Sequence, residues 1–181
     1  MKTLHFPFLL TVTFAVVLSL SGCGFRPLYG TYGAASSPQV TQALATISIL
    51  PLSDRQGMKL RQALREHLQP RGEVPGGDYQ LEVALDSRVD ELGIRRDATS
   101  SRANYILIAR FYLRENGDRV FGDQVQSIVS YNILDDQYAT VASQADAEDR
   151  AVQQIGMQIK TRLAIYFNDR LNVQDVATNA R

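Results

Sequence analysis

Residues 104–133 read NYILIARFYLRENGDRVFGDQVQSIVSYNI, and the middle of that stretch decides the fold. Asn116-Gly117 sits between two β-rich runs, and an Asn-Gly pair in that setting marks a two-residue hairpin with a type I′ turn. The spacing predicts one strand over Asn104–Arg114 and the next from Arg119 to about Ile133. A two-residue loop sets the register, so paired positions sum to 233. Arg110 then faces Asp123, Tyr112 faces Phe121 and Ile108 faces Val125, all sensible cross-strand pairs. The first of these strands is apolar on both sides. Tyr105, Leu107, Ala109, Phe111 and Leu113 form one row. Ile106, Ile108 and Tyr112, broken by Arg110 and Arg114, form the other.

Working back toward the N-terminus, Asp78–Val89 alternates cleanly. Tyr79, Leu81, Val83 and Leu85 fall on one side, with Gln80, Glu82, Ala84 and Asp86 on the other. Period two with one polar face predicts a half-buried antiparallel strand. The segment 91–102 between these strands, ELGIRRDATSSR, reads as a loop carrying Arg95, Arg96 and Arg102. Further back, Ala45–Leu52 reads as a short β-branched strand. Ser53 or Asp54 caps a helix to about Gln69. Leu60, Leu64 and Leu68 recur at i+4 with Met58 beside them, a buried stripe ended by Pro70. Arg55, Lys59, Arg61 and Arg65 make the opposite side mildly basic, either a solvated face or a surface for anionic lipid or a partner.

Toward the C-terminus the spacing predicts a helix over most of Ser143–Phe167, or from a few residues earlier. Val152, Ile155, Ile159, Leu163 and Tyr166 face inward, and Ser143 with Asp146 forms its cap. Residues 171–181 lack periodicity and are expected to be a disordered tail. The order is β-α-β-β-β-α. That is an α+β, two-layer sandwich: a four-stranded, mainly antiparallel sheet with two helices on one face. With the Tyr105–Leu113 row under the helices, Ile106, Ile108 and Tyr112 are left outside, with Phe121 and Val125 beside them. An exposed apolar patch of that kind means a partner, unless the aromatic arm Phe25–Tyr32 folds back over it. Ile106, Ile108, Tyr112 and Phe121 are therefore the expected partner surface.

The composition narrows the function. The chain has 181 residues, 19 Lys+Arg against 19 Asp+Glu, one cysteine and two histidines. Neutral balance argues against a nucleic-acid partner. No apolar run long enough to span a bilayer occurs beyond the first two dozen residues. A lone cysteine excludes an internal disulfide. His67 is the only imidazole beyond His5, and no nucleophile elbow, phosphate loop or zinc set accompanies it. No catalytic residue, metal site or cofactor is expected, and the chain does not read as an enzyme.

The N-terminus reads as an address. Lys2 precedes the uncharged apolar run Phe6–Leu20, and Leu20-Ser21-Gly22-Cys23 closes it. Residues 1–22 thus have the form of a lipoprotein signal peptide, with Cys23 the acylated residue one of the mature chain. Three palmitate-type acyl chains, at about 0.8 kcal/mol per buried methylene, anchor firmly. Gly24 in place of Asp suits the outer membrane. Removing the signal takes Lys2 away and leaves 18 basic side chains against 19 acidic. Residues 23–44 then form a lipidated tether rich in Gly, Pro and Ser, and 45–170 the folded domain.

Cys23-Gly24-Phe25-Arg26-Pro27-Leu28-Tyr29-Gly30 resembles the opening motif of the LptE lipopolysaccharide-assembly lipoproteins. The element order over roughly residues 45–167, and Tyr138-Ala139-Thr140 before the Ala- and Gln-rich helix, are similar to that family too. The resemblance implies an outer-membrane lipoprotein whose domain sits in the periplasm or in a barrel lumen. Such proteins plug and help assemble the LptD β-barrel and bind lipopolysaccharide. It also implies that the basic loop between the second and third strands, here Arg95, Arg96 and nearby Arg102, contacts lipid A phosphates. No basic residue occurs in 143–149, SQADAED, so a second basic contact at the start of the last helix is not expected. The alternative is a free-standing, periplasm-facing lipoprotein that acts as an interaction module without lipopolysaccharide.

Overall fold

The computed structural model describes residues 37–72, 77–94 and 100–179. The chain enters through a helix, α1 (Pro38–Ala45), inside the stretch expected to be tether. Its start signal is Ser37-Pro38. The Ser37 hydroxyl accepts the Val40 N–H at 3.2 Å, and proline is pre-set for the first helical position. Residues that look like linker by composition are thus a cap, and the helix buries Val40 and Leu44.

The expected first strand contracts to β1, Ser48–Ile49, because Thr46 is already the C-cap of α1. Helix α2 (Arg55–Leu68) follows, with Asp54 accepting the Gly57 N–H as its N-cap. Leu60, Leu64 and Leu68 are buried as their spacing requires. Met58 is not on that stripe: it is 62% exposed, because it is two residues, about 200°, from Leu60 around the helix.

Strands β2 (Tyr79–Ile94), β3 (Ser100–Glu115) and β4 (Asp118–Asn132) complete a sheet of order β1-β2-β3-β4. β1 runs parallel to β2, and the other neighbours are antiparallel. β2 and β3 extend well into the segment expected to be loop. The Asn116-Gly117 turn forms, with φ of 51° and 92°, the left-handed pair that a type I′ turn needs.

The register holds for only two pairs. Glu115 faces Asp118 and Arg114 faces Arg119, but an irregularity at Leu113/Arg114 shifts everything beyond it. Tyr112 faces Gly122, Arg110 faces Gln124 and Ile108 faces Gln126; Phe121 faces Leu113. Burial explains the slip. Without it, Gly122, Gln124 and Gln126 would lie under the helices. With it, Phe121, Val125, Ser127, Val129 and Tyr131 do. A one-residue slip turns every side chain over, and here the apolar set wins.

The last helix, α3 (Gln137–Asn179), is 43 residues long. It starts two turns before Ser143, because Asp136 accepts the Tyr138 N–H at 2.8 Å while the Thr140 hydroxyl bonds to both Leu134 N and O. It continues through the expected tail, since no Gly or Pro interrupts the chain after Gly156. Helices α2 and α3 share one core with the inner rows of β2, β3 and β4. They approach closely at Gly156: a Cβ there would stand 3.4 Å from Ala63 Cβ and 3.1 Å from His67 Cδ2. Both helices therefore lie on one sheet face, and the architecture is the expected α+β sandwich with one additional short helix.

Candidate functional site

The two ends of the sheet differ in kind. At the hairpin end, Arg170 grips Glu115 with both terminal nitrogens, at 2.9 and 3.0 Å. The Tyr79 hydroxyl donates to Glu115 at 2.9 Å, and Arg170 also donates to the Tyr166 hydroxyl at 3.0 Å. Around them Tyr79 meets Phe167 edge-on and Phe121 stacks on Tyr166, each with ring centres 5.0 Å apart. Burial, reinforced by the bond to Glu115, pushes the Tyr79 hydroxyl up to about 12. Hydrogen bonds from Arg170 and Tyr79 hold the Glu115 carboxyl below its ordinary value. The geometry is that of a clasp, with its polar groups paired to one another.

The opposite end is open. Ile94 pairs with Ser100, so Arg95 and Arg96 belong to the connection 95–99, outside the described residues. Cys23 and the 23–30 motif lie outside them too. Arg102 is described: it is exposed on the outer face between its ladder neighbours Leu92 and Asn132. It lines a cleft of about 260 Å³ with Ser130, Asn132, Ser143, Asp146 and Arg150. Arg150 was missed by the sequence reading, which stopped one residue short of it. Its Nε lies 2.9 Å from Asp146, four residues back, and both side chains are largely exposed. An exposed pair of that type contributes at most about 1 kcal/mol, so Arg150 can exchange Asp146 for a phosphate. The two guanidinium groups with the Ser143 hydroxyl form a donor set suited to a phosphate oxyanion, while the Ser130 hydroxyl already donates to Asn104 at 2.6 Å.

The acidic run 143–149 has a role that its composition hid. Glu148 lies 3.7 Å from Arg55, and Asp149 bonds Lys59. Two of the four basic residues of α2 thus lie beside α3, although the Arg55 side chain stays 71% exposed. Among the described residues no group of three His, Cys, Asp or Glu is placed to hold a metal ion.

The outer sheet face carries Ile108 and Tyr112 as expected, with two corrections: Ile106 is buried rather than exposed, and Phe121 is not on this face. Ile108 and Tyr112 are half-buried there, and Ile106 is 4% exposed yet stands apart from the core cluster. Tyr112 lies across Gly122, where a Cβ would come within 2.7 Å of its ring, and Arg119 stacks 3.7 Å above the ring centre. Phe121 belongs to the other face, because the register slip delivers it to Tyr166. Its place is taken by Ile128, opposite Ile106 and 55% exposed. Outward alternation along β4 would have revealed Ile128, but only once the slip was known.

The sequence profile of the LptE lipopolysaccharide-assembly family matches residues 44–163, from the end of α1 through the sheet to the middle of α3. The chain belongs to this family. Membership makes it a non-enzymatic lipopolysaccharide-assembly protein. Solved structures agree on the fold. A candidate lipoprotein from Caulobacter crescentus is 23% identical with a TM-score of 0.59, over 74% of this chain and 97% of that one. A minor lipoprotein from Acinetobacter baumannii is 14% identical with a TM-score of 0.53, over 66% and 89%. A lipoprotein B from Nitrosomonas europaea is 12% identical with a TM-score of 0.50, over 67% and 83%. Among curated protein sequences none matches the chain.

Proposed function

We propose that this LptE-family chain is an outer-membrane lipoprotein, held by acyl chains on Cys23. Its domain plugs and helps assemble an LptD-type β-barrel, and it binds lipopolysaccharide at the open end of the sheet. The observation that carries the ligand reading is the cleft in which Arg102 and Arg150 stand beside Ser130 and Ser143. Ile94 and Ser100, which flank Arg95 and Arg96 in sequence, pair at the same end of the sheet. Lipid A phosphates need such donors. The partner reading is supported by family membership and by Ile108, Tyr112 and Ile128 standing accessible outside the helical layer.

The test uses the full acylated chain in detergent. The Arg102→Glu/Arg150→Glu variant is expected to bind fluorescent lipopolysaccharide at least about tenfold more weakly, two charge-assisted contacts having been reversed. Unchanged binding would remove the cleft from the proposal. Reversal of Arg95 and Arg96 tests the adjoining connection in the same assay. Recovery of a barrel with the wild-type chain from solubilised outer membranes supports the plug. Its failure leaves the free-standing lipoprotein.

A further inference from the structure

The sheet has two edges, and they are built differently. β1 covers β2 only at Gln80 and Leu81. The remainder of that edge carries Glu82, Asp86, Arg88, Asp90 and Glu91, the charged protection that keeps an edge from pairing. Among the described residues β4 is the other edge. From Gln124 to Asn132 it reads QVQSIVSYN, nine residues without a charge or a proline.

Backbone direction along β4 follows from two side-chain bonds. The Gln126 carbonyl accepts from Gln158 Nε2 at 3.1 Å, and the Gln124 N–H donates to Asp123 Oδ1 at 2.7 Å. Both groups are turned off β3, so by alternation Ile128, Ser130 and Asn132 also aim theirs at the free edge. Helix α3 runs beside this edge on a seam of polar contacts four residues apart. Ser127 donates to Gln154 at 2.6 Å, Gln158 reaches Gln126, and Arg162 lies 3.4 Å from Asp123. On the helix flank beyond the seam is a groove of about 420 Å³. Met157 and Ile165 line it, 57% and 47% exposed.

We propose that β4 accepts an extended segment of the barrel protein as a fifth strand, its inward apolar side chains covering Met157 and Ile165. This rests on the reading above that the chain has a barrel partner. The unfilled groups specify the occupant. A row of backbone donors and acceptors is satisfied by another strand, whereas two apolar side chains offer too little area for a helix. Gln158 acts as a guard: it fills the Gln126 carbonyl in the free chain and exchanges one hydrogen bond for another when the strand arrives.

The experiment is co-purification of the full acylated chain with its barrel, paired with backbone hydrogen exchange. Gln126→Pro removes an outward N–H and costs no bond to β3. It is expected to lower barrel recovery about tenfold, while Gln126→Ala and, on the charged edge, Val89→Pro recover it as wild type does. In the unmodified complex, amides 124–132 are expected to slow and those of 83–94 to stay unchanged. The exchange measurement needs no variant to fold. If the wild-type chain brings down no barrel, the partner reading fails and takes this inference with it. A barrel recovered with β4 exchange unchanged, or lost equally with Val89→Pro, overturns the fifth strand alone. Slowing of β4 in the free chain that grows with its concentration would assign the edge to a second copy and overturn it as well.

Discussion

One sheet carries a closed end and an open end. At the closed end, Tyr79, Phe121, Tyr166 and Phe167 surround a carboxylate held by three hydrogen bonds from Arg170 and Tyr79. At the open end, Val89 is 41% exposed although it is in the inner row, and the charged groups of the cleft are paired loosely or not at all. The difference separates two uses of arginine. Arg170 is consumed in holding the fold, whereas Arg150 is held only by an exposed pair with Asp146.

The strongest attack on this contrast is on the core beneath the clasp. Phe111→Ala is expected to cost about 4 kcal/mol in urea unfolding, whereas Val89→Ala at the open end costs less than about 1 kcal/mol. Equal losses would erase the distinction. Next is the clasp itself. Arg170→Met leaves Glu115 and Tyr79 with an unbalanced charge and is expected to cost about 2 kcal/mol. Its pH behaviour is sharper. Glu115 is held low, so its contribution is present above the ordinary carboxylate value and drains away as pH falls through the lowered one. Glu115→Gln should flatten the acid limb of the stability curve. Tyr79 is held at about 12 against an ordinary 10, so its contribution is present below pH 10 and is lost as pH climbs toward 12. Tyr79→Phe should remove that alkaline loss, read from melts and from the tyrosinate absorbance difference.

A smaller effect belongs to the polar seam. Ser127→Ala leaves Gln154 without its donor and is expected to cost about 1 kcal/mol. Smallest is the effect on stability of reversing Arg102 and Arg150, within about 0.5 kcal/mol of wild type, while lipopolysaccharide binding falls. A large destabilisation there would mean that the open end holds the fold after all.

Much of this was legible locally. The Asn116-Gly117 turn, the Leu60–Leu64–Leu68 stripe and the inward face of the last helix each follow from a periodicity or a turn chemistry that acts within a few residues. The open end was legible only in part. Arg102 stands out from its neighbours in sequence, but Arg150 reaches the same cleft from a helix distant in sequence, and only the packing of that helix beside β3 and β4 brings the two together. Phe121 was assigned to the outer face because a two-residue loop implies one register. The competing demand, burial of Val125, Val129 and Tyr131, acts across strands and overrides it.

The sequence by itself therefore determined the types and order of the elements from β1 to α3, the sandwich and the resemblance, since these rest on short-range periodicity, capping and a contiguous motif. Only the tertiary structure decided which face Phe121 joins, which arginines share the cleft, and which edge of the described sheet is left open. Those outcomes depend on side chains from distant segments competing for the same core, partner or hydrogen bond, and no local pattern encodes the winner.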